Sequence, residues 1–103
     1  MGATESTSDQ RLIGLLREGD LTALETLFSR HSRAIYGFFY RTTGSVATGE
    51  DLTQDVFVRV LRYHSSFQPG KAFRVWLYSI ARNVLSDHRA RRTTEATIEE
   101  LEI

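Results

Sequence analysis

The sequence predicts an all-α fold, a compact bundle of about four helices. Apolar residues recur at spacings of three and four along four stretches. Glycines and Pro69, the only proline, fall between those stretches, and no segment sustains the alternation of a strand. At 103 residues the chain is long enough for one domain with an adequate core, and its hydrophobic share of 41% and charged share of 25% are those of an ordinary globular protein.

The first helix is expected from about Asp9 to Glu18, with Leu12, Ile13, Leu15 and Leu16 on its apolar side and Gly19 as the stop. Ahead of it, residues 1–8 read as a flexible polar leader. MGATES loosely fits an N-myristoylation pattern through Gly2 and Ser6, but a plain leader is the expectation. The second helix opens at Asp20 as N-cap and runs to about Thr43, with Leu21, Leu24, Leu27, Phe28, His31, Ile35, Phe38 and Phe39 as its stripe. The third begins near Thr48, where TGED fits a capping box, and reaches about Ser65. Its apolar side is Leu52, Val56, Phe57, Val60, Leu61 and Tyr63. Gly19, Gly44, Gly49 and Gly70 are placed at joints, and SSFQPGK (65–71) is a turn.

The fourth helix is FRVWLYSIARNVLSDHRARR, residues 73–92. At 100° per residue, Phe73, Trp76, Leu77, Ile80, Ala81, Val84 and Leu85 share the core arc, so Trp76 is expected to pack inside. The opposite arc carries Val75, Tyr78, Ser79, Arg82, Asn83, Ser86 and Arg89. Arginines there can neutralise phosphates, Asn and Ser can reach base edges, and Tyr78 offers a ring for stacking.

Net charge is zero, 13 bases against 13 acids, yet the charges are segregated. From Lys71 to Arg92 six bases face one acid, a local +5, and residues 93–103 hold four glutamates and no base, a local −4. That pattern suits a surface for a polyanion beside an acidic tail; a solvated face is the competing reading. On the third helix Asp51, Gln54, Asp55, Val58 and Arg62 share the polar arc. Val58 amid acids and an amide suits the centre of a protein-docking patch; an ordinary solvated face with an Asp55–Arg59 pair fits equally well.

The absence of cysteine excludes disulfides and thiolate–metal sites, and fits a reducing cytoplasm. His31, His64 and His88 lie on three segments without ligand spacing, so no metal or cofactor is expected, and His31 reads as a satisfied boundary histidine. Enzyme chemistry finds no support: there is no Gly-rich phosphate loop and no Ser/His/Asp arrangement on one face. The opening residues form neither a secretory signal nor a membrane span.

DLTQDVFVRVLRYH and FRVWLYSIARNVLSDHRARR, in that order and joined by a short loop, resemble domain 2 of bacterial sigma factors, the extracytoplasmic-function (ECF) group above all. The resemblance covers about residues 9–92. It implies that the first motif docks on the β′ clamp of RNA polymerase core, with Asp51, Gln54 and Asp55 in contact and Val58 and Arg62 nearby. It implies that the second motif opens the promoter −10 element and captures non-template bases, and that loop 66–72 helps to form a pocket for a flipped base. Phe67, Gln68 and Lys71 are the loop candidates; Arg74, Ser79, Arg82, Asn83, Ser86 and Arg89 are the helix candidates, with Tyr78 beside them. Ser79 and Ile80 stand where housekeeping relatives carry a tryptophan pair, so stringent base capture is expected to matter more than aromatic wedging. The resemblance further implies a bacterial cytoplasmic location, on the nucleoid when in holoenzyme, and an anti-sigma protein as partner. ECF proteins continue into a second helical domain that reads the −35 element, so TTEATIEELEI (93–103) is expected to start the interdomain linker of a fragment or of a one-domain relative. A different class of function, a sigma-mimic module binding an anti-sigma protein and not DNA, has no use for the arginines of the fourth helix.

Overall fold

The structure, a computed structural model, describes residues 7–102. Among them lie four α-helices, α1 (Asp9–Arg17), α2 (Thr22–Thr43), α3 (Val46–Tyr63) and α4 (Phe73–Glu102), with a 3-10 turn at His64–Ser66. The leader and acylation readings of residues 1–6 fall outside the described residues. Ser8 belongs to the fold: its hydroxyl accepts from the Arg11 N–H and caps α1.

Each joint has a local cause. Glu18 and Gly19 close α1, Gly19 at φ 94°, with the Asp20 N–H returning to the Leu15 carbonyl. The cap position of α2 is Leu21, which makes no side-chain cap bond; the expected cap, Asp20, stands one residue earlier and still reaches the helix start, its Oδ1 accepting from the Thr22 N–H at 3.0 Å. Gly44 ends α2 in the left-handed region and passes the chain directly to α3. Here two expectations are corrected. The cap of α3 is Ser45, whose hydroxyl accepts from the Thr48 N–H at 3.1 Å, so Thr48 lies inside the first turn. Gly49 is no joint: it is buried where α3 crosses α2, and a Cβ there would stand 2.9 Å from the Tyr36 ring.

The core gathers Leu12, Ile13 and Leu16 of α1, Ala23, Leu27, Ile35 and Phe39 of α2, Leu52, Val56, Phe57 and Val60 of α3, and Phe73, Leu77, Ile80, Ala81, Val84 and Leu85 of α4. This is the four-sided burial that amphipathic helices require. The stripes prove narrower than their apolar letters. Leu21, Phe28, Leu61 and Tyr63 stand exposed, while the smaller Ala23 is buried. His31 is satisfied as expected, its Nε2 3.0 Å from Asp9 Oδ2, and Arg30 meets the other oxygen of the same carboxylate at 3.1 Å. Asp9 thereby pins α1 to α2.

α4 does not stop at Arg92. It continues to Glu102, because residues 93–102 contain neither Gly nor Pro and supply Ala, Glu, Ile and Leu. Every residue of that extension is exposed.

Candidate nucleic-acid and protein interfaces

The first site forms where the loop after α3 meets the start of α4. Gln68-Pro69-Gly70-Lys71 is a turn closed by the Lys71 N–H on the Gln68 carbonyl at 3.1 Å. Proline at its second position and Gly70 at φ 88° are the type II signature. Beneath the turn, Phe67, Phe73 and Trp76 form a cluster with ring centroids 5.4 to 5.9 Å apart. Between turn and helix lies a mainly apolar hollow of about 340 Å³, walled by Ser66, Gln68, Lys71, Ala72, Val75, Trp76 and Ser79, with Phe67 at its floor. Trp76 is held there by its Nε1–H, which donates to Ser66 Oγ at 3.3 Å. Ser79 Oγ–H bonds back to the Trp76 carbonyl at 2.6 Å.

Two aromatic assignments change. Phe67 is only 2% exposed, so it supports the loop from within and meets the hollow only as part of its lining, not as an exposed ring. Tyr78 is part-buried and sits edge-on to Phe38 at 6.0 Å, so packing occupies the ring expected to stack. Trp76, read from the sequence as a packing residue, lines the hollow as well. It lies on the flank of the core arc, one turn before Ser79, and a flank position next to a Pro-Gly turn is the signal that could have found it.

Along α4 beyond the hollow, Arg82, Asn83, Ser86 and Arg89 are all exposed. Among the described residues Lys71, Arg74, Arg82 and Arg89 have no ion-pair partner, so their charge is available to a polyanion. Arg74 stands apart from the row, beside Gln10 and Ser8 at the head of α1.

The second site lies on α2 and α3. Phe28 packs edge-on to Phe57 at 5.0 Å yet remains 40% exposed, beside Val58 at 51% and Leu61 at 41%. With Leu24, Glu25, Ser29 and Gln54 they line an apolar hollow of about 520 Å³. A neighbouring, more polar hollow shares Phe28 and Gln54 and adds Arg33, Tyr36, Glu50 and Asp51. Of the residues picked from the third helix, Gln54, Val58 and Asp51 line these hollows and Arg62 is exposed nearby. Phe28 and Leu61 were missed, because spacing alone assigned them to the core.

Asp55 is engaged within the fold. Its Oδ1 accepts from Arg59 Nε at 3.3 Å, and Arg59 Nη1 reaches Asp87 Oδ2 at 2.9 Å. The expected intrahelical pair therefore extends into a bridge from α3 to α4. Burial lowers the Arg59 pKa, but hydrogen bonds to Asp87 and Asp55 and their charges outweigh it, and the net shift is upward.

A family model, Sigma-70 region 2, matches residues 27–95. The chain belongs to the sigma-70 region 2 family. Among its relatives, the ECF RNA polymerase sigma factor BldN of Streptomyces coelicolor is 35% identical over 82% of this chain and 33% of its own length. RNA polymerase sigma factor CarQ of Myxococcus xanthus is 39% identical over 69% of this chain and 41% of its own. This sigma region 2 thus spans a third to two fifths of those two relatives. It also resembles the NMR structure of an engineered region 2 of sigmaE in complex with GTAAAA, with a TM-score of 0.81, 26% identity and coverage of 90% of this chain and 97% of that one. No helix among the described residues is long and apolar enough to cross a membrane.

Proposed function

We propose that this region 2 is a transcription-initiation module that docks on the β′ clamp of RNA polymerase core and recognises the promoter −10 element by capturing unpaired non-template bases. The observation that carries the reading is the hollow between the Pro-Gly turn and α4, adjoining Arg82 and Arg89, which have no ion-pair partner among the described residues. A flipped base needs a snug, largely apolar slot with a few edge-reading groups, and its phosphates need cations along the approach. Gln68, Lys71, Trp76 and Ser79 supply the slot; Arg82, Asn83, Ser86 and Arg89 supply the approach. Arg74 contributes charge at the start of α4. The resemblance to a region 2 in complex with GTAAAA supports the same assignment.

The polymerase-facing role falls to the apolar hollow around Phe28, Val58, Leu61 and Gln54, with Asp51 in the adjoining polar hollow, Arg62 exposed further along α3 and Asp55 paired with Arg59 on the same helix. An anti-sigma protein is a second proposed partner for this chain. A mimic that binds only such a partner is disfavoured by Arg82 and Arg89, which have no ion-pair partner among the described residues to explain them.

The test is a titration of the chain with a panel of −10 single strands and the matching duplexes. Preference for one group of single strands, weakening as salt rises, supports the reading; equal binding of duplex and single strand contradicts it.

A further inference from the structure

The hollow is shaped by a loop whose backbone is gripped from outside, by α1. Arg17 Nη2 donates to the His64 carbonyl at 3.2 Å and to the Phe67 carbonyl. Gln10 Nε2 donates to the Lys71 carbonyl at 3.1 Å, and Gln10 Oε1 accepts from the Gly70 N–H at 3.4 Å. The two side chains are seven residues apart, two helical turns, and so share one face of α1. Arg17 holds the entry to the loop and Gln10 holds its exit. The bar that carries them is rigid, because Leu12, Ile13 and Leu16 are buried in the core and Asp9 is tied to α2. α1 lies ahead of the span that the family model matches, residues 27–95.

We propose that Gln10 and Arg17 are positioning residues for base capture, fixing both ends of the 67–71 loop so that the hollow is formed before a base arrives. The proposal rests on the base-capture reading above. Its physical basis is preorganisation: a loop already held in its bound shape loses less freedom when a ligand enters. Both side chains are exposed, so each contact competes with water, and each substitution carries a modest effect. Neither residue walls the hollow, and neither is expected to touch the base.

The experiment uses the full chain as wild type, Gln10→Ala, Arg17→Ala and Arg17→Lys, with circular dichroism to establish folding. The probes are labelled single-stranded DNA GTAAAA, the tightest binder selected from a random hexamer pool, and versions of each made abasic at one position at a time. In the wild type, one position is expected to weaken binding when its base is removed. On intact probe, Gln10→Ala and Arg17→Ala bind roughly two- to tenfold more weakly. On probe abasic at that one position, the difference from wild type disappears; at all other positions it persists. Arg17→Lys, which retains a donor, recovers part of the loss. Hydrogen exchange at the Gly70 amide accelerates in Gln10→Ala. The clamp is overturned if either alanine variant binds like wild type, or if its deficit is the same on every abasic probe. If no abasic position weakens the wild type, base capture itself fails, and the clamp fails with it.

Discussion

The face built by α2 and α3 leaves a cluster of large apolar side chains uncovered, whereas the face built by the loop and α4 uncovers Val75 beside a hollow and otherwise presents cations and polar groups. Phe28, Val58 and Leu61 are each 40% exposed or more, and their hollow is about 520 Å³. On the other face Phe67 is 2% exposed, Val75 at the wall of the hollow is 69% exposed, and the polar Arg82, Asn83, Ser86 and Arg89 reach solvent along α4 beyond it. The first arrangement suits the proposed docking on another protein, where burying exposed apolar area would supply the affinity. The second suits the proposed uptake of a polyanion with planar groups, where charge would attract and a preformed slot would select. Both faces are built on one core, to which all four helices contribute.

The shared core gives the largest effect. Leu77→Ala removes a fully buried side chain and should destabilise the domain by about 2 to 5 kcal/mol in urea unfolding, so that both faces fail together. If only one face failed, the faces would have to be separate units. Next, Val58→Asp should weaken capture of a β′ clamp fragment tenfold or more, a loss of about 1.4 kcal/mol or greater, with single-strand binding unchanged. Unchanged capture would return the patch to plain surface. Gln54→Ala should reduce capture in the same direction by less.

On the other face, Arg89→Ala should weaken all sequences about equally and lower the salt slope by about one, whereas Asn83→Ala should alter base preference. Uniform loss in both would remove Asn83 from readout. The smallest effect concerns the bridge between the faces. Arg59→Ala strands the Asp55 and Asp87 carboxylates, and because all three groups are partly exposed, roughly 0.5 to 1 kcal/mol of stability is expected to be lost. The melting temperature measures it, and a loss several times larger would mark the bridge as a structural keystone.

Much of this division was legible in the sequence. The core arc of α4 and the outward placement of Arg82, Asn83, Ser86 and Arg89 follow from periodicity, and Val58 stood out as an apolar residue among polar ones. What periodicity misjudged are the flanks of each arc, where a few tens of degrees decide between core and surface. Leu61 and Phe28 fell outward; Phe67, in a loop without periodicity, fell inward; Trp76 and Tyr78 lie on opposite flanks and exchanged parts. The cap of α3 was misplaced because Ser45 and Thr48 both suit a helix start, and only the two-residue passage through Gly44 chooses Ser45. The grip of α1 on the loop joins residues 47 to 61 positions apart, and no local pattern announces such pairs. The extension of α4 was missed because an acidic run reads as tail when charge is weighed above helix propensity.

Uptake of an unpaired strand is the proposed role of the loop and α4 face. Its most direct test is a fluorescence-anisotropy titration of the chain against the best −10 single strand and the same sequence as duplex, across a range of salt. The single strand should bind more tightly than the duplex, with log affinity falling linearly as log salt rises. Equal affinity for both forms, or binding indifferent to salt, would contradict it.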